Sequence, residues 1–329
     1  MKVLAGDIGG TNSRLALCEV AGSRVSVVAE KVYPSASFAS FSEVVRTFLA
    51  THGGNVQSAC FGLPGPVRGR RAKLTNLPWL VDADAIERDL GLDAVSLIND
   101  LEANAYGLAV LDPAAIRVLK PGTAIPNGNA ALIAAGTGLG EAGLAWDGSK
   151  RRPFATEGGH ADFAPGDALE DELLVFLRAK FPGHVSWERV VSGPGLAAVH
   201  EFLRHKDGSA MPAWVEGPPG ELPGKIAAAA RDGDDPIAAA ALERFLGLYG
   251  AEAGNLALKF LAIGGVYVGG GIAPKLADLF AGSPFVERFL AKGRMRALLE
   301  DMPVYLVLDD RAGLWGSASY AANSRLANA

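Results

Sequence analysis

The chain has 329 residues, a length that favours two domains or one large one, and its 31 Lys and Arg against 36 Asp and Glu give a net charge of −5. This mild acidity argues against nucleic-acid binding or a polybasic membrane anchor, and a hydrophobic content of 49% excludes a disordered chain. Only Cys18 and Cys60 are present, which excludes a disulfide framework or a zinc site of several thiolates. No signal-peptide core or bilayer-spanning apolar run is visible, so we expect a cytoplasmic protein.

The N-terminal half is predicted to alternate strands with helices. After the glycines, over 13–20, apolar residues alternate with others, which is the strand period, and with the segment 3–8 before the glycines this indicates a strand–turn–strand unit. Further strands are predicted over 59–63 and 95–98, and helices over 41–49, 83–90 and 101–110. The Pro-, Gly- and Asn-rich segment 111–129 is predicted to mark a domain boundary.

The C-terminal half opens with a second strand–turn–strand unit over 131–146, whose turn at 136–140 is again rich in glycine. Helices are predicted over 168–180 and 195–204, from 236 to 259, from 272 onward and over 312–322, and strands over 265–268 and 303–308. The Pro- and Gly-rich residues 211–224 are predicted to form a surface loop. Two similar hairpins imply a duplicated architecture with a cleft between its halves.

The motif DIGGT at 7–11 is the strongest sign of chemistry. Glycines in a turn between strands allow backbone N–H groups to point into one concavity and bind an anion. Thr11 adds a hydroxyl donor, and Asp7 at the strand end is suited to hold hydrated magnesium near phosphates. Taken alone, these glycines fit an ordinary hairpin equally well. The second turn, at 136–138, favours a pair of loops that grip a triphosphate.

Two further positions have both a functional and a structural interpretation. The glycines 269–271 either let a nucleotide lie against the backbone or let a helix pack closely on a strand. Asp100 follows an apolar strand and precedes a helix, where it either caps the helix or acts as general base for a hydroxyl nucleophile, with Asn99 beside it as donor and acceptor. Both roles of Asp100 need the same strand-end position, so neither excludes the other.

Acidic residues near the second hairpin suggest recognition of a polyol. Glu157 and His160 flank two glycines on a tight turn, and Glu188 precedes the segment SGPG at 192–195. Carboxylates accept hydrogen bonds from adjacent sugar hydroxyls. The alternative is that these glutamates are ordinary solvated surface residues.

Three other motifs match known sites only in part. GLGEAG at 138–143 fits the dinucleotide-binding fingerprint, but a strand is predicted after it where that fingerprint requires a helix. His200 and His205 are five residues apart, so they do not share the helix face that a His-Glu zinc motif uses. Residues 224–226 lack the hydroxyl residue of a Walker loop.

In combination, several strings resemble the bacterial ATP-dependent glucokinase family of the actin–hexokinase superfamily. They are GDIGGTNSRLALCEV (6–20), LTNLPW (74–79), LINDLEANAYGL (97–108), AGTGLGEAGL (135–144), EGGHADFAP (157–165), ERVVSGPGL (188–196), VGGGIAPK (268–275) and DMPVYLV (301–307). The resemblance covers nearly the whole chain, and its specificity comes from the set of strings together.

The resemblance implies transfer of a phosphoryl group from ATP to the 6-hydroxyl of glucose, with Asp100 as the base that takes the hydroxyl proton. The implied sugar-binding residues are Asn99, Asp100, Glu157, His160 and Glu188. The implied nucleotide-binding residues are Gly6, Asp7, Ile8, Gly9, Gly10, Thr11, Thr137, Gly138, Gly270 and Gly271. Asp7 is implied to organise Mg²⁺ through water.

The resemblance also implies an α/β, two-domain actin/hexokinase-like (ribonuclease H-like) fold with an inter-domain cleft. We expect a small α/β domain formed by 1–110 and 301–329 and a large α+β domain formed by 111–300. A homodimer is implied, with glucose and ATP as ligands and with no nucleic-acid or membrane partner. The loop at 211–224 has no counterpart in the family pattern.

Three other functions stay open at this point. A sugar-responsive regulator of the related repressor–kinase family would need a DNA-binding segment before the strand that begins at Val3, and a cysteine-rich zinc loop. A kinase for mannose or an N-acetylated hexose would use the same scaffold. A non-catalytic nucleotide clamp, like actin or a chaperone ATPase, would have no use for the acids at 157 and 188.

Overall fold

The computed structural model describes residues 1–22, 24–53, 56, 58–74 and 77–328. The chain forms two compact units, one made of Met1–Ala115, Arg152–Ala155 and Asp309–Ala329, the other of Ile116–Arg151 and Thr156–Leu308. Residues 75 and 76 of the LTNLPW string lie outside the described residues.

Strands and helices alternate along much of the chain. The strands are β1 (Lys2–Ile8), β2 (Asn12–Ala21), β3 (Arg24–Pro34), β4 (Ser58–Leu63), β5 (Val67–Arg68), β6 (Arg71–Lys73), β7 (Leu80–Asp82), β8 (Ala94–Asn99), β9 (Ile116–Lys120), β10 (Ala130–Ala135), β11 (Leu139–Trp146), β12 (Arg151–Thr156), β13 (Val266–Gly269) and β14 (Val304–Val307). The helices are α1 (Phe41–His52), α2 (Ala83–Leu90), α3 (Asp100–Gly107), α4 (Ala168–Lys180), α5 (Gly193–Asp207), α6 (Leu222–Asp232), α7 (Pro236–Phe260), α8 (Phe285–Leu290), α9 (Arg296–Asp301) and α10 (Ala312–Asn328).

The main sheet of the first unit has the order β3-β2-β1-β4-β8, with β1 antiparallel to β2 and with β1, β4 and β8 parallel. Alternate residues of β1 point to opposite faces, so Leu4 packs in the core with Phe41 of α1, whereas Val3 and Ala5 pack in the core with Leu314 of α10. Coverage on both faces explains why the central strands are continuously apolar.

The second unit repeats this arrangement. Its sheet contains the order β11-β10-β13-β14-β9, with β10 antiparallel to β11 and with β10, β13 and β14 parallel. A hairpin followed by parallel strands therefore occurs twice, which confirms the duplication predicted from the two glycine-rich turns. In both sheets the turn of the hairpin lies where the first strand ends.

Helix α7 forms the centre of the second core. Asp235 caps its N-terminus by accepting from the backbone N–H groups of Ile237 (2.9 Å) and Ala238 (3.1 Å). Tyr249 of this helix is fully buried, and its hydroxyl accepts a hydrogen bond of 3.0 Å from the backbone N–H of Ala135 while lying 3.2 Å from the carbonyl oxygen of Gly269. The buried hydroxyl therefore ties together the ends of β10 and β13, where two predicted binding turns begin.

Most predicted elements are confirmed to within a few residues, and α2 and α4 match their predicted bounds at both ends. The helix predicted from residue 272 is wrong. The backbone N–H of Ile272 donates to Ala135 of β10 (3.1 Å), which holds this segment against the sheet, and only the 3-10 helix Pro274–Leu276 follows. Proline, which has no backbone N–H, is tolerated in such a first turn.

Two other expectations differ in detail. Within 211–224 the chain forms the 3-10 helices Ala213–Val215 and Pro219–Glu221, and α6 begins at Leu222. Residues 301–308, predicted with the first domain, lie in the second unit because β14 pairs with β13 there. None of the helices in the described part of the chain combines the length and apolarity needed to cross a bilayer.

Candidate functional site

The first glycine-rich turn, between β1 and β2, is held from beneath by Ser35. The backbone N–H of Gly9 donates to the carbonyl oxygen of Asn12 (2.7 Å), and Ser35 donates through its hydroxyl to Gly9 (2.9 Å) and through its N–H to Thr11 (2.9 Å). Gly9 does not have a positive φ, so the backbone conformation does not require glycine there. Thr11 is exposed. The turn is thus held by Ser35 and is exposed to solvent at Thr11.

Gly6 and Ile8, predicted on the nucleotide side, are core residues of β1. Ile8 is 1% exposed, and a Cβ atom on Gly6 would lie 2.6 Å from the ring of Phe61 and 2.9 Å from Leu15. Packing in the core therefore explains the residue type at both positions. Any contact that they make with a ligand would come from the backbone.

Asp7 is a half-buried carboxylate at the end of β1. Burial raises its pKa to about 6, against the opposing effect of the Arg14 guanidinium, and Asp310 raises it further. Burial without full charge compensation disfavours the ionised form, and a nearby positive charge would stabilise that form.

Magnesium is the cation that the family resemblance implies. Over the described residues no group of three or more His, Cys, Asp or Glu side chains is arranged to hold a metal ion. Mg²⁺ is commonly bound by one or two carboxylates together with waters and substrate phosphates, and it does not need a full protein cage. A single half-buried carboxylate beside an open glycine turn fits that mode, so Asp7 is the residue that would hold the ion.

Asn99 and Asp100 stand at the junction of β8 and α3. The Oδ1 atom of Asn99 accepts hydrogen bonds from the backbone N–H groups of Leu101 (2.9 Å) and Glu102 (3.3 Å), which makes Asn99 the N-cap of α3. Asp100 is the first helical residue and is half-buried, and its Oδ1 atom also accepts from Leu101 (2.9 Å). Asn99 is therefore the N-cap of α3, and Asp100 adds a hydrogen bond to one of the same N–H groups.

Asp7 and Asp100 lie at one edge of the sheet because β1, β4 and β8 are parallel. The register pairs Asp7 with Gly62 and pairs Leu63 with Asn99. A Cβ atom on Gly62 would lie 3.6 Å from the Cα atom of Asp100, so glycine lets the start of α3 approach the sheet closely. The first unit thus brings together the predicted base, the predicted metal ligand and the first glycine turn.

The second glycine-rich turn, between β10 and β11, is bound to the segment that carries Glu188. The backbone N–H of Gly136 donates to Gly138 (2.8 Å), and the N–H of Gly193 donates to Gly136 (2.8 Å). The Oε2 atom of Glu188 accepts from the backbone N–H of Leu139 (2.9 Å), and a Cβ atom on Gly138 would collide with that oxygen. Thr137, the middle residue of the turn, is exposed.

Glu157 and His160 frame the 3-10 helix Gly158–His160, which packs on the start of β11. Their side chains are 64% and 59% exposed, and His160 Nε2 lies 3.9 Å from Glu157 Oε2. Gly159 leaves no room for a Cβ atom, which would collide with the carbonyl oxygen of Leu139. The second unit therefore places Glu157, His160 and Glu188 around the turn that contains Thr137 and Gly138.

Gly270 and Gly271 follow β13, beside the same turn. Gly270 has a φ of +81°, and a Cβ atom there would lie 2.5 Å from the carbonyl oxygen of Ala135 at the end of β10. A Cβ atom on Gly271 would have no neighbour within 4 Å. Gly270 is thus required by the backbone, and Gly271 faces open space on which a flat ligand group can rest.

Sequence reasoning missed three residues that support this site. Tyr249 holds the ends of β10 and β13. His184 Nε2 lies 2.8 Å from the carbonyl oxygen of His160, and Glu141 lies buried beneath Gly158. The only sequence signal is at Glu141, a charged residue within a run of small and apolar ones.

Known proteins resemble this chain along nearly its whole length. A family model described as Glucokinase matches residues 4–324. A glucokinase of Nostoc sp. (strain PCC 7120) is 41% identical over 340 residues, which cover 97% of this chain and 98% of that protein. The crystal structure of a glucokinase from an Antarctic psychrotroph is 33% identical with a TM-score of 0.83, covering 98% of this chain and 99% of that one.

A more distant structure shares the fold. A ROK family glucokinase from Streptomyces griseus, solved in complex with glucose and AMPPNP, has a TM-score of 0.68 at 21% identity and covers 98% of this chain and 100% of that one. The fold is therefore the mixed α/β fold of sugar kinases of the ROK and hexokinase type. On the extent of the family match and the identity to curated relatives, the chain belongs to the glucokinase family.

Proposed function

We propose that the chain transfers the γ-phosphoryl group of ATP to the 6-hydroxyl of glucose and releases glucose 6-phosphate and ADP. The observation that carries the proposal is the placement of Asp100, a half-buried carboxylate at the same sheet edge as Asp7 whose helix is capped by its neighbour Asn99. A half-buried carboxylate at this position is suited to accept a proton.

In the proposed reaction the Asp100 carboxylate accepts the proton of the 6-hydroxyl. The oxygen forms a bond to the γ-phosphorus as the bond from that phosphorus to the β,γ-bridging oxygen breaks, and the electron pair leaves with ADP. Phosphoryl transfer depends on positioning and charge stabilisation more than on covalent catalysis, so one base and a set of anchors suffice.

Four residues are proposed to orient the sugar. Glu157, His160 and Glu188 surround the second glycine turn, where the carboxylates can accept from ring hydroxyls. Asn99 uses Oδ1 for the helix cap and one amide N–H for the carbonyl oxygen of Gly65 (3.2 Å), which leaves its second amide N–H as a donor. Its proposed contribution is therefore donation of a single hydrogen bond.

The glycine turns are proposed to bind the nucleotide. Gly9, Gly10 and Thr11 would contact phosphates from the first unit, with Thr137 and Gly138 doing so from the second, while Gly270 and Gly271 would support the adenosine. Mg²⁺, when bound at Asp7, supplies charge neutralisation for the phosphates. Residues of both units act on one pair of substrates in this proposal, as the two-domain actin/hexokinase-like fold with an inter-domain cleft implies.

The same resemblance carries the remaining parts of the proposal. We propose domains at 1–110 with 301–329 and at 111–300, except that residues 301–308 belong to the second domain because β14 pairs with β13. We also propose a homodimer that works in the cytoplasm at the entry of glucose into glycolysis. Sedimentation of the purified protein tests the dimer, for which two copies are expected at micromolar concentration.

A coupled assay for ADP release tests the function. Glucose, mannose, fructose and N-acetylglucosamine are each offered with ATP and magnesium. Glucose is expected to have the highest kcat/KM, because acceptors that a bound sugar covers but leaves unpaired cost affinity. Chelation of magnesium is expected to abolish turnover. Turnover with N-acetylglucosamine or mannose above that with glucose would reassign the substrate, and no turnover on any sugar would refute the kinase.

A further inference from the structure

Two glutamates meet in the core of the second unit. Glu141 of β11 is 1% exposed and Glu252 of α7 is 0% exposed, and their carboxyl groups lie within hydrogen-bonding reach of each other. Among the described residues, the Oε1 atom of Glu141 has no hydrogen-bond partner. Glu252 accepts from Asn255 Nδ2 at Oε2 (2.7 Å) and from Lys259 Nζ at Oε1 (3.2 Å).

A hydrogen bond between two carboxyl groups requires a proton on one of them. Two ionised carboxylates in contact repel each other, and burial excludes the water that would screen them. Lys259 pairs with Glu252, so the pair as a whole is neutralised when Glu141 carries the proton. A protonated Glu141 also explains why one of its oxygens is buried without a donor, because a neutral acid costs far less to bury than a charge.

The other groups that face the pair are few. From α7 they are Lys259 and the hydroxyl of Tyr249. Lys292 donates to Asn255, and its charge also acts on Glu252. Glu157 and His160, at the ends of the Gly158–His160 turn, are both more than half exposed. Burial, followed by the charge of Glu252, raises the pKa of Glu141 to about 8, and Lys259 opposes this.

The Glu141 carboxyl group supports the segment that carries Glu157 and His160. A Cβ atom on Gly158 would collide with Glu141 Oε2, so the backbone at this position rests directly on the acid. A second link runs through Thr156, whose hydroxyl donates to the carbonyl oxygen of Glu141 (3.0 Å) and accepts from the N–H of Gly158 (3.1 Å). A displacement of Glu141 therefore moves the start of the Gly158–His160 segment.

We propose that Glu141, held neutral by a proton shared with Glu252, is a positioning residue that keeps the Gly158–His160 segment in its glucose-binding position. Ionisation of Glu141 would set two carboxylates against each other beneath Gly158 and displace that segment. The link to glucose rests on the proposed function, whereas the shared proton does not, so the two parts have separate readouts.

The stability readout follows from linkage. In the unfolded chain Glu141 ionises near its ordinary pKa of 4.5, whereas in the native state it holds its proton to about 8. Between these values the native state binds more protons than the unfolded state, so the stability of the wild type falls as pH rises through this window. Glu141→Gln has no proton to lose and lacks this component.

The test compares wild type with Glu141→Gln, whose amide donates to Glu252 in place of the acid, and with Glu141→Leu, which fills the volume without a donor. From about pH 5 to about pH 8, the Tm of Glu141→Gln is expected to rise relative to wild type by at least about 2 °C. Glu170→Gln is the matched control, because Glu170 is equally buried but is paired with Arg288. Its Tm is expected to stay below that of wild type across the same range.

The kinetic readout uses glucose. One pH unit above the pKa of Glu141, the KM of wild type for glucose is expected to be about tenfold higher with little change in kcat, because only the protonated fraction is competent to bind. Glu141→Gln is expected to lack this rise, and Glu141→Leu is expected to have a high KM at every pH. If Glu141→Gln does not fold, Glu252→Gln provides the second test. Its amide can donate to an ionised Glu141, so the pH profiles of Tm and of KM are both expected to move to lower pH.

Four outcomes decide the matter. Parallel Tm and KM profiles for wild type and Glu141→Gln overturn the shared proton. If the Tm profiles of wild type and Glu141→Gln differ while their KM profiles stay parallel, the positioning role is overturned and the shared proton is supported. Equal KM values for the Gln and Leu variants also overturn the positioning role. A protein that turns over no sugar but shows the separated Tm profile refutes the proposed function alone.

Discussion

The side chain of Asn99 accepts a hydrogen bond of 2.9 Å from the backbone N–H of Leu101, one residue beyond the candidate base Asp100. This bond makes Asn99 the helix cap and separates two roles that the sequence left competing for one carboxylate. Substitution of Asp100 is therefore expected to affect catalysis, whereas substitution of Asn99 is expected to affect stability.

Replacement of Asp100 by Asn is expected to lower kcat by about 10²–10⁴-fold, because the proton acceptor is lost while the residue keeps its shape. The free energy of unfolding is expected to change little, since the cap is intact. Steady-state kinetics and urea unfolding measure both quantities.

Asn99→Ala is the comparison variant for that experiment. It removes the cap of α3 and is expected to cost about 1 kcal/mol of unfolding free energy. An Asp100→Asn protein with near-normal kcat, or with a stability loss as large as that of Asn99→Ala, would contradict the assignment of the base.

Alanine variants of Glu188 and Glu157 are expected to differ in their free energy of unfolding but to weaken glucose binding alike. Glu188→Ala leaves the backbone N–H of Leu139 without its acceptor, at a cost of about 1–3 kcal/mol. Glu157 is 64% exposed, so Glu157→Ala is expected to change the free energy of unfolding by less than about 0.5 kcal/mol. Both variants are expected to raise the KM for glucose, as measured by the coupled assay. An unchanged KM in either variant would remove that residue from the sugar site.

Gly138→Ala is expected to disturb the second turn by steric collision. The added methyl group collides with Glu188 Oε2, so the carboxylate must leave Leu139 or the turn must shift. Both responses lower kcat/KM for glucose and for ATP. Gly220→Ala is the control, because a Cβ atom there has no neighbour within 4 Å. Wild-type kinetics in Gly138→Ala would show that the turn tolerates a side chain and that its glycine has no role in the site.

Asp167 gives the second unit an acid-sensitive contact. Burial alone would raise its pKa, but hydrogen bonds from Arg244 and from the backbone N–H of Glu170 outweigh this and leave the pKa below its ordinary value of 3.8. A lowered pKa means that the stabilisation is present above the ordinary value and is lost as pH falls through the native one.

Asp167→Asn tests that contact, since the amide oxygen can still cap α4 while the charge is gone. Its Tm is expected to lie below that of wild type at about pH 7, and the difference is expected to close as the pH falls below the ordinary aspartate value. A Tm difference that is constant over this range would show that the carboxylate charge at 167 contributes nothing to stability.

Local signals in the sequence predicted much of the secondary structure. Helices α2 and α4 match their predicted bounds because helical periodicity, caps and flanking breakers are properties of neighbouring residues. Asp235 followed by Pro236 likewise marks the start of α7 at the observed residue. Where a long-range hydrogen bond determines the backbone conformation, as at Ile272 bound to β10, the local signal predicted the wrong element.

The sequence by itself determined the family, the two glycine-rich hairpins and the candidate acids, because these depend on residue type and spacing along the chain. Only the tertiary structure decided which residue caps α3, that Glu188 binds the turn at Gly138, and that Glu141 meets Glu252. These contacts join residues that strand register and helix packing bring together, and no local pattern encodes them.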